Sequence, residues 1–137
     1  MTKPTEQALE ELMEHAREAA QNAYAPYSKF RVGAALRMAN GQVVTGANVE
    51  NASYGLTICA ERSALVRAVA ELGPEIRVAA VAVANLNGKP SPPCGACRQM
   101  LAEFAEPDAP VRFPGADGVR TMTFSEVLPA GFEFKLK

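Results

Sequence analysis

Residues 78–84, Val-Ala-Ala-Val-Ala-Val-Ala, form the longest apolar run in the chain. Gly73-Pro74 precedes the run, and a loop over residues 87–93 follows it, so its length is typical of a single strand. A strand that is apolar along its whole length is covered on both faces. This run therefore predicts the central strand of a sheet that has helices packed on it.

One helix is predicted before this strand in the sequence and one after it, and each of them begins at a cysteine. The first runs from Cys59 to about Leu72, where Gly73-Pro74 ends it. The second begins at Cys94 and is ended by Pro107 and Pro110. Because both helices flank one strand, their N-termini can converge at one edge of the sheet.

The remaining segments complete a mixed α/β pattern. An amphipathic helix is predicted from Thr5, its N-cap, to about Ala23, and Asn40-Gly41 predicts a hairpin between two strands. Two more short strands surround residues 114–118, and residues 125–128 predict a single helical turn. The order α, β, β, α, β, α, β, β favours helices packed on a mixed sheet in one domain over residues 1–137.

Composition excludes several classes of function. The 137 residues are 48% hydrophobic and 21% charged, with a net charge of −1 and no basic stripe, so a nucleic-acid partner is not expected. The sequence contains no recognisable signal peptide or membrane span, which predicts a cytoplasmic protein with no membrane partner. A small, neutral, metabolite-like substrate fits this balance best.

All three cysteines lie in two short segments, Cys59-Ala60-Glu61 and Pro93-Cys94-Gly95-Ala96-Cys97. An odd number of clustered thiols favours a metal or catalytic site over a disulfide framework. Three protein ligands on zinc leave one position open for water, as in catalytic sites, whereas structural sites are closed by four. A structural site completed by His15 and a redox C-x-x-C are the weaker interpretations, because His15 lies on the first helix and a redox pair leaves Cys59 without a purpose.

Three charged residues accompany the thiols. Glu61 falls beside the open position, where a carboxylate can take a proton from water and pass it to a substrate. Arg62 and Arg98 each follow a cysteine segment, and either could donate to a thiolate and offset the negative charge of three thiolates on zinc. For both arginines, an exposed position on a helix is the alternative.

A polar segment, residues 47–54 (Ala-Asn-Val-Glu-Asn-Ala-Ser-Tyr), follows the second strand. Asn48, Glu50 and Asn51 are typical of a turn, and composition alone favours that interpretation. The functional alternative is a set of hydrogen-bonding groups that face a polar ligand.

Four segments together resemble the small, homotetrameric, zinc-dependent cytidine deaminases. They are residues 28–35 (SKFRVGAA), 48–52 (NVENA), 59–62 (CAER) and 93–99 (PCGACRQ), and the similarity extends from about Ala25 to Phe132. The cysteine and glutamate spacing is the signature of zinc nucleobase deaminases in general. The Asn-x-Glu-Asn segment makes the resemblance specific to enzymes that act on free nucleosides. The resemblance implies a three-layer α/β/α fold with a mixed five-stranded sheet.

The resemblance also implies a metal and a proton carrier. Cys59, Cys94 and Cys97 correspond to the ligands of one zinc ion per subunit, and Glu61 corresponds to the residue that shuttles protons. Arg62 takes the position that hydrogen-bonds the zinc thiolates.

The substrate contacts are carried over in the same way. Phe30 corresponds to the residue that packs on the nucleoside, and Asn48 and Glu50 to those that bond the ribose 3′-hydroxyl. The backbone of Ala60 helps to read the pyrimidine. Further positions correspond to residues that reach a neighbouring subunit's site: Ala52, Tyr54 and, by a looser match, Phe132.

The implied reaction is hydrolytic deamination of cytidine and deoxycytidine to uridine and deoxyuridine, with release of ammonia, in pyrimidine salvage. Water activated by the zinc attacks C4 of the base while Glu61 moves the protons. The alternatives are a deaminase for another aminopyrimidine nucleoside such as blasticidin S, a polynucleotide-editing deaminase, and a zinc-stabilised binding module without catalysis.

Overall fold

A computed structural model describes residues 3–133 of the chain. The elements follow one another as α1 (Glu6–Ala20), β1 (Val32–Met38), β2 (Val43–Ala47), a 3-10 turn (Tyr54–Leu56), α2 (Ala60–Leu72), β3 (Val78–Asn85), α3 (Gly95–Ala102), β4 (Pro110–Gly115), β5 (Gly118–Thr123) and α4 (Phe124–Val127). Within residues 3–133, no helix is both long and apolar enough to cross a membrane.

The five strands form one mixed sheet in the order β2-β1-β3-β4-β5. β1 pairs antiparallel with both β2 and β3, β3 and β4 are parallel, and β4 and β5 form an antiparallel hairpin. Helix α1 packs on one face of the sheet and α2 on the other, with α3 beside α2. The predicted order of elements and the predicted central position of residues 78–84 are confirmed.

The two faces of β3 explain how its apolar run serves both layers. Because side chains alternate along a strand, Val81 and Val83 point into the larger core with α2 and α3. The small side chains point the other way, into the core beneath α1, and these are Ala80, Ala82 and Ala84. The central strand thus presents valine side chains to α2 and α3, and only the methyl groups of alanines to α1.

Two glycines let the helices approach the sheet closely. A Cβ atom on Gly33 of β1 would lie 1.9 Å from the carbonyl oxygen of Ala16 in α1. A Cβ atom on Gly46 of β2 would lie 2.3 Å from the backbone nitrogen of Ala64 in α2. Any larger residue at either position would push a helix off the sheet, since in both cases the obstacle is backbone.

Most predicted boundaries agree with the structure. The Thr5 side chain caps α1 by accepting a hydrogen bond from the N–H of Ala8 (3.1 Å), and Gly41 and Gly73 adopt positive φ where the turn and the helix end were expected.

Three boundaries differ from the prediction. Helix α1 ends at Ala20 rather than near Ala23, and α3 ends at Ala102, well before Pro107. After α3 the chain turns back, because Ala105 forms a bridge with Val78 at the start of β3. Phe124 begins α4 rather than ending β5, since Thr123 and Glu126 form a capping box at that point.

Candidate active site

Helices α2 and α3 bring the three thiols together. Cys59 is the N-cap of α2 and Cys94 the N-cap of α3, each with an extended backbone that directs the chain out of a loop and into the helix. Cys97 lies one turn further along α3 and is fully buried. The three Sγ atoms therefore meet where the two helix N-termini converge.

The spacing of the thiols fits a zinc ion. The Sγ atoms of Cys59 and Cys94 are 3.6 Å apart, those of Cys94 and Cys97 are 3.4 Å apart, and all three lie within 4.8 Å of one another. Tetrahedral zinc with Zn–S bonds of about 2.3 Å holds its sulfur atoms about 3.8 Å apart. Within residues 3–133 the cluster comprises these three cysteines and no histidine or carboxylate, so the donor set leaves a fourth position open. His15, as expected, takes no part in it.

Hydrogen bonding among the thiols shifts the pKa values of Cys59 and Cys97 in opposite directions. The hydrogen bond from Cys97, supported by those from Arg62 and Cys94, lowers the pKa of Cys59 to about 5 despite partial burial. The hydrogen bond to Cys59, together with burial, raises the pKa of Cys97 above its ordinary value. A bound zinc ion would stabilise the thiolate form of all three cysteines.

The structure distinguishes the two arginines. Nη2 of Arg62 lies 3.6 Å from Sγ of Cys59, within hydrogen-bonding range of the thiolate. Arg98 instead donates to two carbonyl oxygens, from Nε to Pro93 (2.7 Å) and from Nη1 to Val127 (2.8 Å). Arg62 is thus the arginine that faces the thiolate charge, and Arg98 ties the Pro93-Cys94 segment to α4.

Glu61 lies in the first turn of α2, two residues after Cys59. Its side chain is buried, with 4% of the residue exposed. Burial is the main cause that raises the pKa of Glu61 to about 7; the negative charge of Cys59 contributes in the same direction, and Arg62 opposes it. A carboxyl group that ionises near neutral pH can both accept and return a proton, which is the property required of a general acid/base.

Asn48 and Glu50 are buried and hydrogen-bonded to one segment of the chain, residues 27–32, which we call the Phe30 segment. Asn48 accepts from the N–H of Val32 (2.9 Å) and donates to the carbonyl of Phe30 (2.9 Å). Glu50 accepts from the N–H groups of Tyr27 (3.0 Å) and Ser28 (3.1 Å) and from the Ser28 hydroxyl. The Ser28 hydroxyl is the main cause of the lowered pKa of Glu50.

These hydrogen bonds directly support the interpretation that the polar side chains of residues 47–54 stabilise the local chain. Both side chains hold the Phe30 segment in place, and their predicted contact with a ribose remains a prediction. Phe30 itself is half-buried, and Ala60 is fully buried beside Cys59.

The family model for the cytidine and deoxycytidylate deaminase zinc-binding region matches residues 6–111. The chain belongs to this family. Its relatives include the cytidine deaminase of Halalkalibacterium halodurans, which is 49% identical over 122 residues, covering 88% of this chain and 91% of that protein. The cytidine deaminase of Sporosarcina psychrophila is 42% identical over 125 residues, covering 90% of each.

Solved structures of cytidine deaminases have the same fold as this family member. The Burkholderia pseudomallei enzyme is 45% identical, with a TM-score of 0.81 over 94% of this chain and 100% of that one. The Mycobacterium tuberculosis enzyme is 37% identical, with a TM-score of 0.81 over 96% and 100% of the two chains. The expected α/β fold with a mixed five-stranded sheet is thereby confirmed.

Three residues predicted to serve a neighbouring subunit are exposed in this deaminase-family chain. Ala52 and Tyr54 lie in the exposed stretch before α2, with Tyr54 85% exposed. Phe132 is 71% exposed, and its backbone is bonded at both ends to the Gln99 side-chain amide of α3. Their roles remain predictions. The exposure of Tyr54 and Phe132 is compatible with contact to a neighbouring subunit.

Sequence reasoning missed two asparagines, Asn85 at the end of β3 and Asn87 in the loop after it. Asn85 and Asn87 bond the loop before Cys94 to itself and to the Phe30 segment. Both lie in a stretch that reads only as a polar loop, and their partners up to 58 positions away leave no local pattern. The run Asn-Leu-Asn-Gly offered a turn signal but no indication of what the turn binds.

Proposed function

We propose that this protein is a zinc-dependent enzyme that deaminates cytidine and deoxycytidine hydrolytically, yielding uridine or deoxyuridine and ammonia, in pyrimidine salvage. The observation that carries the proposal is the open three-thiol cluster together with Glu61, a buried carboxyl group in the first turn of α2 whose pKa is near 7. Family membership and curated cytidine deaminases of nearly the same length support it.

The residues of the chain divide the work. Cys59, Cys94 and Cys97 would hold the zinc, which when bound makes a water molecule nucleophilic at neutral pH. The Glu61 carboxylate would take a proton from the attacking water and deliver it to N3 of the pyrimidine while the water oxygen bonds to C4. It would then take the remaining proton of the new C4 hydroxyl and deliver it to the amine, which leaves as ammonia as the C4 carbonyl forms. Arg62 offsets the thiolate charge, which would otherwise oppose ionisation of the water.

Substrate binding is assigned to residues around this centre. Phe30 packs against the nucleoside, Asn48 and Glu50 bond the ribose 3′-hydroxyl, and the Ala60 backbone contacts the pyrimidine. Because Asn48 and Glu50 already bond the Phe30 segment, one set of side chains would fix both the sugar and the aromatic ring beside it. Binding in a fixed geometry is what converts attack by water into an effectively unimolecular step.

The test is an absorbance assay with cytidine and deoxycytidine on purified, zinc-loaded protein. We expect turnover of both nucleosides, and its complete absence would refute the proposal. Glu61→Ala should abolish turnover while one zinc per chain remains, because Glu61 is not a ligand. The exposed loop residue Glu75 offers a matched control, and Glu75→Ala should leave both activity and zinc content unchanged.

We propose further that the enzyme is a homotetramer in which Ala52, Tyr54 and Phe132 complete neighbouring sites. Several apolar side chains are exposed in the segments that precede α2, and apolar surface of this kind marks interaction sites; they include Tyr27, Val49, Tyr54 and Leu56. Light scattering should report four chains, and an active monomer would refute the proposal.

Residues 1–137 should act as one domain in the cytoplasm, where the thiols stay reduced. A single cooperative thermal transition and fractionation with soluble cytoplasmic markers would test these two points.

A further inference from the structure

The Phe30 segment has an unusual backbone next to its aromatic residue. Lys29 has φ of 63°, in the left-handed region, and within residues 3–133 it is the one non-glycine residue there. L-residues with a Cβ atom adopt this conformation at a steric cost, so surrounding contacts must hold it. The orientation of Phe30 depends on these contacts, because Lys29 immediately precedes it.

The contacts on either side of Phe30 come from Asn87, in the loop after β3. Its side-chain Nδ2 donates to the carbonyl of Lys29 (3.0 Å), and its Oδ1 accepts from the N–H of Arg31 (3.0 Å). One amide thus spans the aromatic residue, bonding the peptide groups on both sides of it. Asn48 and Glu50 bond the same segment from the other direction in the chain.

Asn87 is itself held in place. Its backbone N–H donates to Oδ1 of Asn85 (2.9 Å), and Nδ2 of Asn85 donates to the carbonyl of Lys89 (2.7 Å) and to Oγ of Ser91 (2.9 Å). Ser91 lies three residues before the zinc ligand Cys94. The two asparagines therefore connect the Phe30 segment to the segment that leads into α3.

We propose that Asn87 is a positioning residue for substrate binding, which fixes the left-handed Lys29 peptide and so aims the Phe30 ring at the nucleoside. The inference rests on the proposed function, because it takes Phe30 as the residue that packs on the substrate. It assigns Asn87 no contact with the substrate.

The physical consequence is a selective loss of affinity. Without Asn87 the Lys29 carbonyl and the Arg31 N–H lose their partners. The Phe30 N–H keeps its bond to Oγ of Ser28, and the Phe30 carbonyl keeps its bond to Asn48. The backbone at Lys29 is then held less firmly and can relax toward negative φ, which turns Phe30 away. The thiols, Arg62 and Glu61 lie on α2 and α3 and keep their contacts. Substrate binding should therefore weaken while the chemical step is retained.

The experiment compares Asn87→Ala with wild type in the zinc-loaded, full-length protein. Both hydrogen bonds of Asn87 to the Phe30 segment are exposed, so each falls at the low end of the ordinary net strength. Their loss predicts that KM for cytidine rises about fivefold, with kcat within about twofold of wild type. Zinc content should stay at one per chain. An unchanged KM, or a loss confined to kcat, would overturn the proposal.

Asn40→Ala is the matched control for a purely structural effect. Asn40 makes two similar hydrogen bonds with Gln42, in the β1–β2 turn (2.7 and 3.0 Å). Its loss should lower thermal stability to a similar degree and leave KM unchanged. If Asn40→Ala raised KM as much as Asn87→Ala does, the effect would be one of general stability and the proposal would fail.

A second variant tests the role of Lys29 directly. Glycine adopts positive φ without steric cost, so Lys29→Gly in the Asn87→Ala protein should bring KM part of the way back to the wild-type value. No recovery, measured against Lys29→Gly alone, would contradict the proposed link through the left-handed peptide.

Calorimetric titration of cytidine into the inactive Glu61→Ala protein, with and without Asn87→Ala, separates this inference from the proposed function. If Glu61→Ala protein with intact Asn87 binds no cytidine and wild type does not turn it over, the proposed function itself fails. If cytidine binds equally well to both proteins, only the role of Asn87 fails. The expected result is about fivefold weaker binding when Asn87 is replaced.

Discussion

Replacing Glu61 with glutamine should stabilise the zinc-free protein at alkaline pH. Burial raises the pKa of Glu61 from 4.5 to about 7, so the folded chain retains a proton that the unfolded chain has released. Between these two values the native state binds more protons, and stability therefore falls as pH rises. Glutamine has nearly the shape of the protonated acid and carries no charge, so it avoids this loss.

The size of the effect follows from the shift. A difference of about 2.5 pKa units corresponds to about 3 kcal/mol, fully present above pH 7. At pH 5 most of the penalty has disappeared, and the same relation leaves under about 1 kcal/mol. The advantage of Glu61→Gln should thus grow by about 2 to 3 kcal/mol between pH 5 and pH 8.

Urea denaturation of metal-free protein at pH 5, 6, 7 and 8 measures this difference. Comparing variant with wild type at each pH cancels the titration of the thiols to first order, since both chains carry them. Glu75→Gln, at an exposed carboxyl group, should shift stability by less than about 0.5 kcal/mol at every pH. A Glu61→Gln advantage that is constant with pH would refute the argument, because it would show that ionisation of a buried acid is not its cause.

Three further predictions concern the packing of Gly46, the bond from Arg62 to Cys59 and the pKa of Glu50. Gly46→Ala should lower Tm by about 5–10 °C, because its methyl group meets the α2 backbone, and an unchanged Tm would contradict the close approach described above. Arg62→Ala should weaken zinc affinity about 10- to 100-fold in a chelator competition, since it removes the partner of the Cys59 thiolate, and equal affinity would exclude that role. Ser28→Ala should shift the acid limb of cytidine binding to higher pH, because it removes the hydroxyl that keeps the pKa of Glu50 low; coincident pH profiles would count against Glu50 as a substrate ligand.

The order of elements was predictable because each carries a local signal. The run at residues 78–84 has the length and composition of a central strand, and Gly41 and Gly73 occupy positions that need positive φ. The assignment of Val81 and Val83 to one helical layer, and of Ala80, Ala82 and Ala84 to the other, follows from strand alternation. The end of α3 was not predictable, because it depends on a bridge between Ala105 and the distant Val78.

The thiol cluster was predictable from spacing, and its surroundings were not. Cys94 and Cys97 share a helical turn, and a catalytic zinc site needs a third protein ligand, which Cys59 supplies. Which arginine faces the thiolate depends on the packing of α3 against α4, which sends Arg98 to a carbonyl oxygen instead. Likewise, the bonds from Asn87 to the Phe30 segment join positions that only the folded sheet brings together.

The bond from Arg98 to Val127 has a consequence for protein synthesis. A chain that is still emerging from the ribosome can present all three cysteines long before residue 127 is available to fasten the segment that carries two of them. Until residue 127 is available, this segment lacks one of the two bonds that Arg98 makes, so the growing polypeptide should hold a metal less tightly than the finished chain does. For the same reason, fusions that pull on the C-terminal end should disturb metal retention more than equally bulky fusions at the N-terminus.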